Sequence, residues 1–248
     1  MKDLNDPSIL STIYQKLREY FGPRGWWPAD TPFEVCVGAI LTQNTSWNNV
    51  VKAIENLRIH NALECKAIYR MNHDELAQMI KPAGYFNVKA RRLKNFINLL
   101  EEKYGGSLEN MFSLQPIKLI ANRREESVRT HCSTHDIHGS GTAHIDNAKM
   151  LRQELLSVNG IGKETADSMI LYAAGMPVFV IDVYTRRVLM RHNILHEKAD
   201  YDEAQALFHD NLQADTSLFN DFHAQLVAVG NRFCRKTPKC DECPLKDL

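Results

Sequence analysis

Leu155–Ala173 reads LLSVNGIGKETADSMILYA. Leu155, Leu156 and Val158 close one helix, and Asn159-Gly160-Ile161-Gly162 turns the chain. Lys163 opens a second helix, with Ala166, Met169, Ile170 and Ala173 on its inner face. Glycine at 160 and 162 lets the backbone turn sharply and come close to a ligand, and Ile161 between them can plug the two helices together. Free N–H groups at the start of the second helix form a ready phosphate site, with the charge of Lys163 beside it. A bare Gly-x-Gly between helices is also an ordinary helix C-cap followed by a loop. Apolar residues before the turn and Lys-x-Thr-Ala after it make this one far more specific.

Working outward, the rest of the chain also reads as helical. Ile9, Ile13, Tyr14, Leu17, Tyr20 and Phe21 recur at helical spacing. Thr31-Pro32-Phe33-Glu34 is a helix start, with Thr31 as N-cap, Pro32 at the first position and Glu34 three residues on. Further helical patterns run over 48–57, 74–80, 88–103, 149–156, 163–174, 182–192, 201–212 and 221–234. No stretch sustains the alternation of a strand. The predicted class is all-α.

Bulk properties narrow the function. An apolar fraction of 44% with 24% charged residues is that of a soluble globular protein. Thirty Lys and Arg balance thirty Asp and Glu, so any nucleic-acid binding must come from local clusters and backbone donors. No apolar run approaches the roughly 20 residues that span a bilayer, and the N-terminus lacks a secretory pattern. The expectation is therefore cytoplasmic, with no membrane partner. Arg123–Asp146 carries His131, Cys132, His135, His138 and His144 without apolar periodicity. That spacing fits no standard zinc finger, and an insertion near 116–146 is read as a solvated loop.

The hairpin, followed by Gly175-Met176-Pro177-Val178-Phe179-Val180-Ile181-Asp182, resembles the endonuclease III-like helix-hairpin-helix/Gly-Pro-Asp DNA glycosylases, over about Phe33–Asn193 plus the cysteine tail. The resemblance implies two helical lobes with the active site between them. One lobe is a helical barrel over 31–175; the other joins 1–30 to 176–248. It implies a base-excision enzyme that cleaves the N-glycosylic bond of a damaged base in duplex DNA, acting as a monomer. Asp182 would be the catalytic carboxylate, stabilising positive charge on the sugar or deprotonating water; a plain helix N-cap is its structural alternative. Gly160, Gly162, Lys163 and Thr165 would hold DNA at the hairpin. Gln43, in Leu41-Thr42-Gln43-Asn44, would fill the gap left by the extruded base, or simply belong to a helix end. Trp47 is the pocket candidate among Trp26, Trp27 and Trp47. Lys89, Arg91, Arg92 and Lys94 form a basic turn, either a solvated face or a phosphate contact.

Two departures refine the resemblance. In endonuclease III a lysine after the hairpin attacks the sugar to form a Schiff base. Here Glu164 takes that position, and Lys163 lies about 100° around the helix. The sequence thus resembles the branch that includes 3-methyladenine glycosylases, monofunctional on alkylated bases, with Glu164 either in the pocket or simply on the helix surface. The alternatives are a bifunctional glycosylase/lyase on oxidised pyrimidines that uses Lys163, and a non-catalytic DNA-binding protein. The tail, Cys234-RKTPK-Cys240-DE-Cys243, resembles the family's 4Fe-4S loop with one residue fewer in its first gap; the fourth cysteine would fall just after Leu248. Zinc is the alternative for these thiols.

Overall fold

The computed structural model describes residues 8–115 and 141–248, with side chains from residue 146 onward in the second stretch. The putting-together is helical throughout: no strand occurs among the described residues. The histidine-bearing segment read as an insertion lies outside them, except that 141–146 belong to a helix. The chain forms two compact units, Ala29–Ala174 and Met1–Pro28 with Gly175–Leu248.

In the unit Ala29–Ala174 the helices are α2 (Pro32–Leu41), α3 (Trp47–Ile59), α4 (Cys65–Arg70), α5 (His73–Met79), α6 (Phe86–Tyr104), α7 (Leu108–Phe112), α8 (Gly141–Leu156) and α9 (Lys163–Ser168). Helix α2 starts where the sequence indicated: extended Thr31 accepts a hydrogen bond from the Glu34 N–H at 3.1 Å, and Pro32 follows. Every residue from Glu34 to Leu41 is buried, so this helix is the centre of the unit, as one apolar on all sides must be. Helices α3 and α6 pack on it, as does the turn that follows α9. Helix α8 begins at Gly141, eight residues before the periodic stretch at 149–156. Helix α9 changes at Met169–Ala173 into a π turn, so the single helix expected over 163–174 has two geometries. The short α4 and α7 have too few residues to show a period.

The basic turn of α6 is mostly turned inward, which corrects its reading as a solvated or phosphate-facing surface. Lys89 is buried, and its Nζ donates to the carbonyls of Leu41 at 2.8 Å and Ala83 at 2.7 Å. Both carbonyls end helical turns and lack intrahelical partners, so the ammonium caps two elements at once. Burial, helped by nearby Arg92, pulls its pKa down to about 8, which leaves it charged at neutral pH. Lys94 caps α4 in the same way, donating to Ile68, Tyr69 and Met71 carbonyls. Arg91 remains exposed.

The second unit contains α1 (Ser8–Phe21), α10 (Val183–Arg191), α11 (Tyr201–Asn211) and α12 (Thr216–Arg232). Its core is aromatic. Phe179 stacks on Phe208 with centroids 3.6 Å apart and meets Phe219 and Phe222 edge-on. Helix α12 starts five residues before the expected 221, because Asp215 caps it by accepting from the Leu218 N–H. Helices α10 and α12 approach closely at Gly230, where a Cβ would lie 2.6 Å from that of Tyr184. Arg187 tightens the crossing by donating to the Gly230 carbonyl at 3.0 Å. No helix among the described residues is long and apolar enough to cross a membrane.

Lys89→Met keeps the aliphatic bulk but orphans two buried carbonyls. It should lower unfolding stability by about 1–3 kcal/mol, read as a shift in the urea midpoint at unchanged slope.

Candidate nucleic-acid interface and active site

The hairpin is built as its sequence suggests. Val158 and Ile161 are buried at the turn, and the Ile161 N–H closes it on the Val158 carbonyl at 3.0 Å. The two helices are tied by a buried ion pair: Arg152 of α8 grips Asp167 of α9 with contacts of 2.7 and 3.1 Å, and Asp167 is fully buried. A two-point arginine–carboxylate contact fixes orientation as well as distance.

The two turn glycines do different work. Gly160 has φ +102°, and a Cβ there would collide with Arg92 Cγ and lie 2.9 Å from Arg92 Cβ and Cδ. Its missing side chain makes room for the Arg92 stem. Gly162 has an ordinary φ of −94° and open space around it. It is exposed and stands at the N-cap of α9. Lys163 is half-buried and Glu164 is exposed.

Gln43 joins this group. Its amide donates to the Gly160 carbonyl and to Thr165 Oγ1, each at 3.0 Å, and its oxygen accepts from the Arg92 guanidinium. Asn95 adds a bond to the Asn159 carbonyl at 2.9 Å. The structure thus brings Gln43, Gly160 and Thr165 together around Arg92, a residue the sequence reading placed in a basic turn and not at the hairpin. Tyr85, which the sequence reading did not single out, is 72% exposed, and its backbone is left-handed at φ +46°, directly ahead of α6. Trp26, Trp27 and Trp47 are all half-buried.

Asp182 lies in the second unit. It caps α10, with Oδ1 accepting from the Thr185 N–H at 2.7 Å, so the N-cap role holds. The chain before it, Met176–Ile181, is neither helix nor strand, and its backbone groups need partners. Helix α11 supplies them. Gln205 donates to the Phe179 carbonyl at 2.6 Å, His209 Nε2 accepts from the Phe179 N–H at 3.1 Å, and Tyr201 accepts from the Ile181 N–H at 3.3 Å. Residues 201, 205 and 209 are spaced by four and share one helix face. They act as the missing neighbour strand, and Phe179 locks into the aromatic core beneath them. The carboxylate therefore stands at the end of a segment fixed on both sides. Across from Oδ2, His223 Nε2 lies 3.8 Å away, with both side chains largely buried.

The tail keeps its three cysteines in the same unit. Cys234 and Cys243 are buried and Cys240 is exposed. Burial pushes the Cys243 thiol up; the Leu245 N–H at its sulfur lowers it, and the nearby Cys234 and Cys240 raise it. Arg191 donates to Cys234 Sγ at 3.4 Å and to the Arg235 carbonyl, and Arg187 holds the Cys234 carbonyl. Thiols close enough to raise one another, with N–H and guanidinium donors on their sulfurs, suit a thiolate-bound group. No three His, Cys, Asp or Glu side chains among the described residues come together as a group that could hold a metal ion. A cluster spreads its thiolates over several irons and does not need them on one point.

Described residues that are helical without strands, a Gly-x-Gly hairpin joining two helices, and an Asp-capped helix after a clamped loop are the parts of a helix-hairpin-helix enzyme acting on DNA. The family model of the HhH-GPD superfamily base excision DNA repair proteins matches residues 37–214, and the chain belongs to that superfamily. It is a DNA glycosylase, an enzyme acting on N-glycosyl bonds. A Methanocaldococcus jannaschii protein described as a candidate DNA repair glycosylase is 41% identical over 244 residues, covering 98% of this chain and 97% of that protein. Among solved structures, the Helicobacter pylori 3-methyladenine DNA glycosylase bound to 1,N6-ethenoadenine aligns with a TM-score of 0.67 at 24% identity, covering 91% of this chain and 97% of the other. A non-covalent endonuclease III–DNA complex aligns at 0.72 and 18% identity, covering 98% and 94%.

The two glycines should separate in experiment. Gly160→Ala should cost about 1–3 kcal/mol of stability through its positive φ and the displaced Arg92. Gly162→Ala should stay within about 0.5 kcal/mol of the parent. Parallel urea titrations check both.

Proposed function

We propose that this enzyme removes an alkylated base from duplex DNA by hydrolysis, without a lyase step. The observation that carries the reading is the carboxylate of Glu164 at the position where the bifunctional relatives' lysine would stand; a carboxylate cannot form an imine. An alkylated base often carries positive charge and leaves readily, so a single carboxylate suffices.

In this reading the hairpin turn of Gly160–Gly162, with Lys163, holds a backbone phosphate, which gives affinity for any duplex. Gln43 and Thr165 shape the same surface, and the exposed ring of Tyr85 offers a face on which a base can stack. Asp182 faces the sugar of the extruded nucleotide. Its charge offsets the positive charge that builds at C1′ as the base departs, and its Oδ2 can accept a proton from the attacking water. Glu164, exposed at the start of α9, supplies no nucleophile for an imine.

A 4Fe-4S cluster would be held by Cys234, Cys240 and Cys243, with Arg187 and Arg191 bracing the loop. Its contribution when bound is structural, ordering a basic loop that includes Arg235, Lys236 and Lys239 for phosphate contact.

The reading is open to direct measurement. Asp182→Asn should lose excision by at least about 100-fold and still bind duplex DNA; excision at the parent rate would remove Asp182 from the chemistry. Wild-type product should carry intact abasic sites that break only in alkali. A borohydride-trapped complex that disappears in Lys163→Ala would establish the bifunctional alternative instead. Anaerobically prepared protein should contain iron and sulfide in about equal amounts, and Cys240→Ser should reduce both; colourless protein with one zinc and no sulfide would replace the cluster by zinc.

A further inference from the structure

The carboxylate of Asp182 has two oxygens in different surroundings. Oδ1 is fixed by the Thr185 N–H at 2.7 Å. Oδ2 looks toward the imidazole of His223, whose Nε2 stands 3.8 Å away. That is too long for a direct hydrogen bond and close enough for a strong electrostatic interaction in buried surroundings. His223 sits within α12, 4% exposed, with its ring edge-on to Phe179 at a centroid distance of 6.3 Å. Phe179 is also the residue whose backbone Gln205 and His209 clamp. One ring therefore contacts both the segment that delivers Asp182 and the side of its carboxylate that Thr185 leaves open.

An imidazole is an unusual filling for this place. The neighbouring core is Phe179, Phe208, Phe219 and Phe222, where a leucine or phenylalanine would be buried at no polar cost. Burial pulls the His223 pKa below its ordinary value, opposed by the Asp182 charge, so the ring is neutral near pH 7. A neutral ring suits the site. It can orient Oδ2 through its N–H dipole without cancelling the negative charge that the reaction needs, as an imidazolium would.

We propose that His223 is a positioning residue for Asp182: from α12, beside Oδ2, it sets the rotation in which the carboxylate meets the reacting sugar and water. This rests on the role given to Asp182 in the proposed function.

The test uses two substitutions and two kinds of readout. His223→Leu fills the space and has no donor; His223→Gln retains one. Excision in single turnover with saturating enzyme should fall about 10- to 100-fold in His223→Leu, as misplacement of a reacting group costs. The Kd for lesion duplex and the melting temperature should be held or, for the latter, raised. His223→Gln should recover most of the rate. Full-rate excision by His223→Leu would overturn the proposal, as would equal losses in both variants that track a lower melting temperature. The coupling is measured apart from activity by following the His223 ring resonances against pH by NMR. Asp182→Asn should move the His223 titration to lower pH, because the favourable charge is gone. No shift would sink the His223–Asp182 coupling whatever the rate data show. A clear shift alongside full excision by Asp182→Asn would instead remove the catalytic role of Asp182, and the proposal with it.

Discussion

The two peptide groups flanking Phe179 constrain everything that follows them. The segment from Met176 to Ile181 runs without helix or ladder, yet Val178 to Ile181 are buried. Unpaired buried amides and carbonyls would be costly, so such a path exists only because Gln205, His209 and Tyr201 meet it from α11. The ring of Phe179 then drives into the aromatic core, which fixes the height of the backbone. Asp182 inherits its position from this arrangement. Its own contact with Thr185 completes the fixation and does not create it.

The hairpin unit solves a related problem with charge. Cations are turned inward here, among them Lys89 on the carbonyls of Leu41 and Ala83, Lys94 on those of Ile68, Tyr69 and Met71, Arg152 on Asp167, and Arg92 on Gln43. Each fixes a place where a helix stops or two helices meet. The turn between Gly160 and Gly162 is backed by the Arg92 stem, while Gly162 is exposed with open space where a side chain would stand. Rigid support beneath an open surface is what the proposed phosphate site needs, since its donors do not have to be ordered when the ligand arrives.

Much of this was legible in the sequence. The hairpin announced itself through paired glycines between apolar flanks, and the caps at Thr31 and Asp182 through residue type. What stayed hidden depends on contacts between distant segments. Lys89 has the neighbours of a surface lysine, and only the fold shows two carbonyls 6 and 48 residues away beneath it. His223 is one polar residue on a helix that also carries Asp221 and Gln225, and nothing local marks the side that faces Asp182. The π turn at Met169–Ala173 could not be read either, because the residues of MILYA suit an α-helix equally well. Asp215 as a cap was missed since the apolar period of α12 is weak in its first turn.

The stripe on α11 has a consequence for how this chain can change over evolution. Tyr201, Gln205 and His209 reach three points on a neighbouring backbone because a helix advances about 6 Å for every four residues. The helix serves as a ruler, and its graduations matter more than its composition. Residues on the far side can vary freely. One inserted or deleted residue between 201 and 209 would swing part of the stripe about 100° away and leave the segment before Asp182 without its partners. Relatives should therefore differ in length at the loops that flank α11 and agree on its internal register.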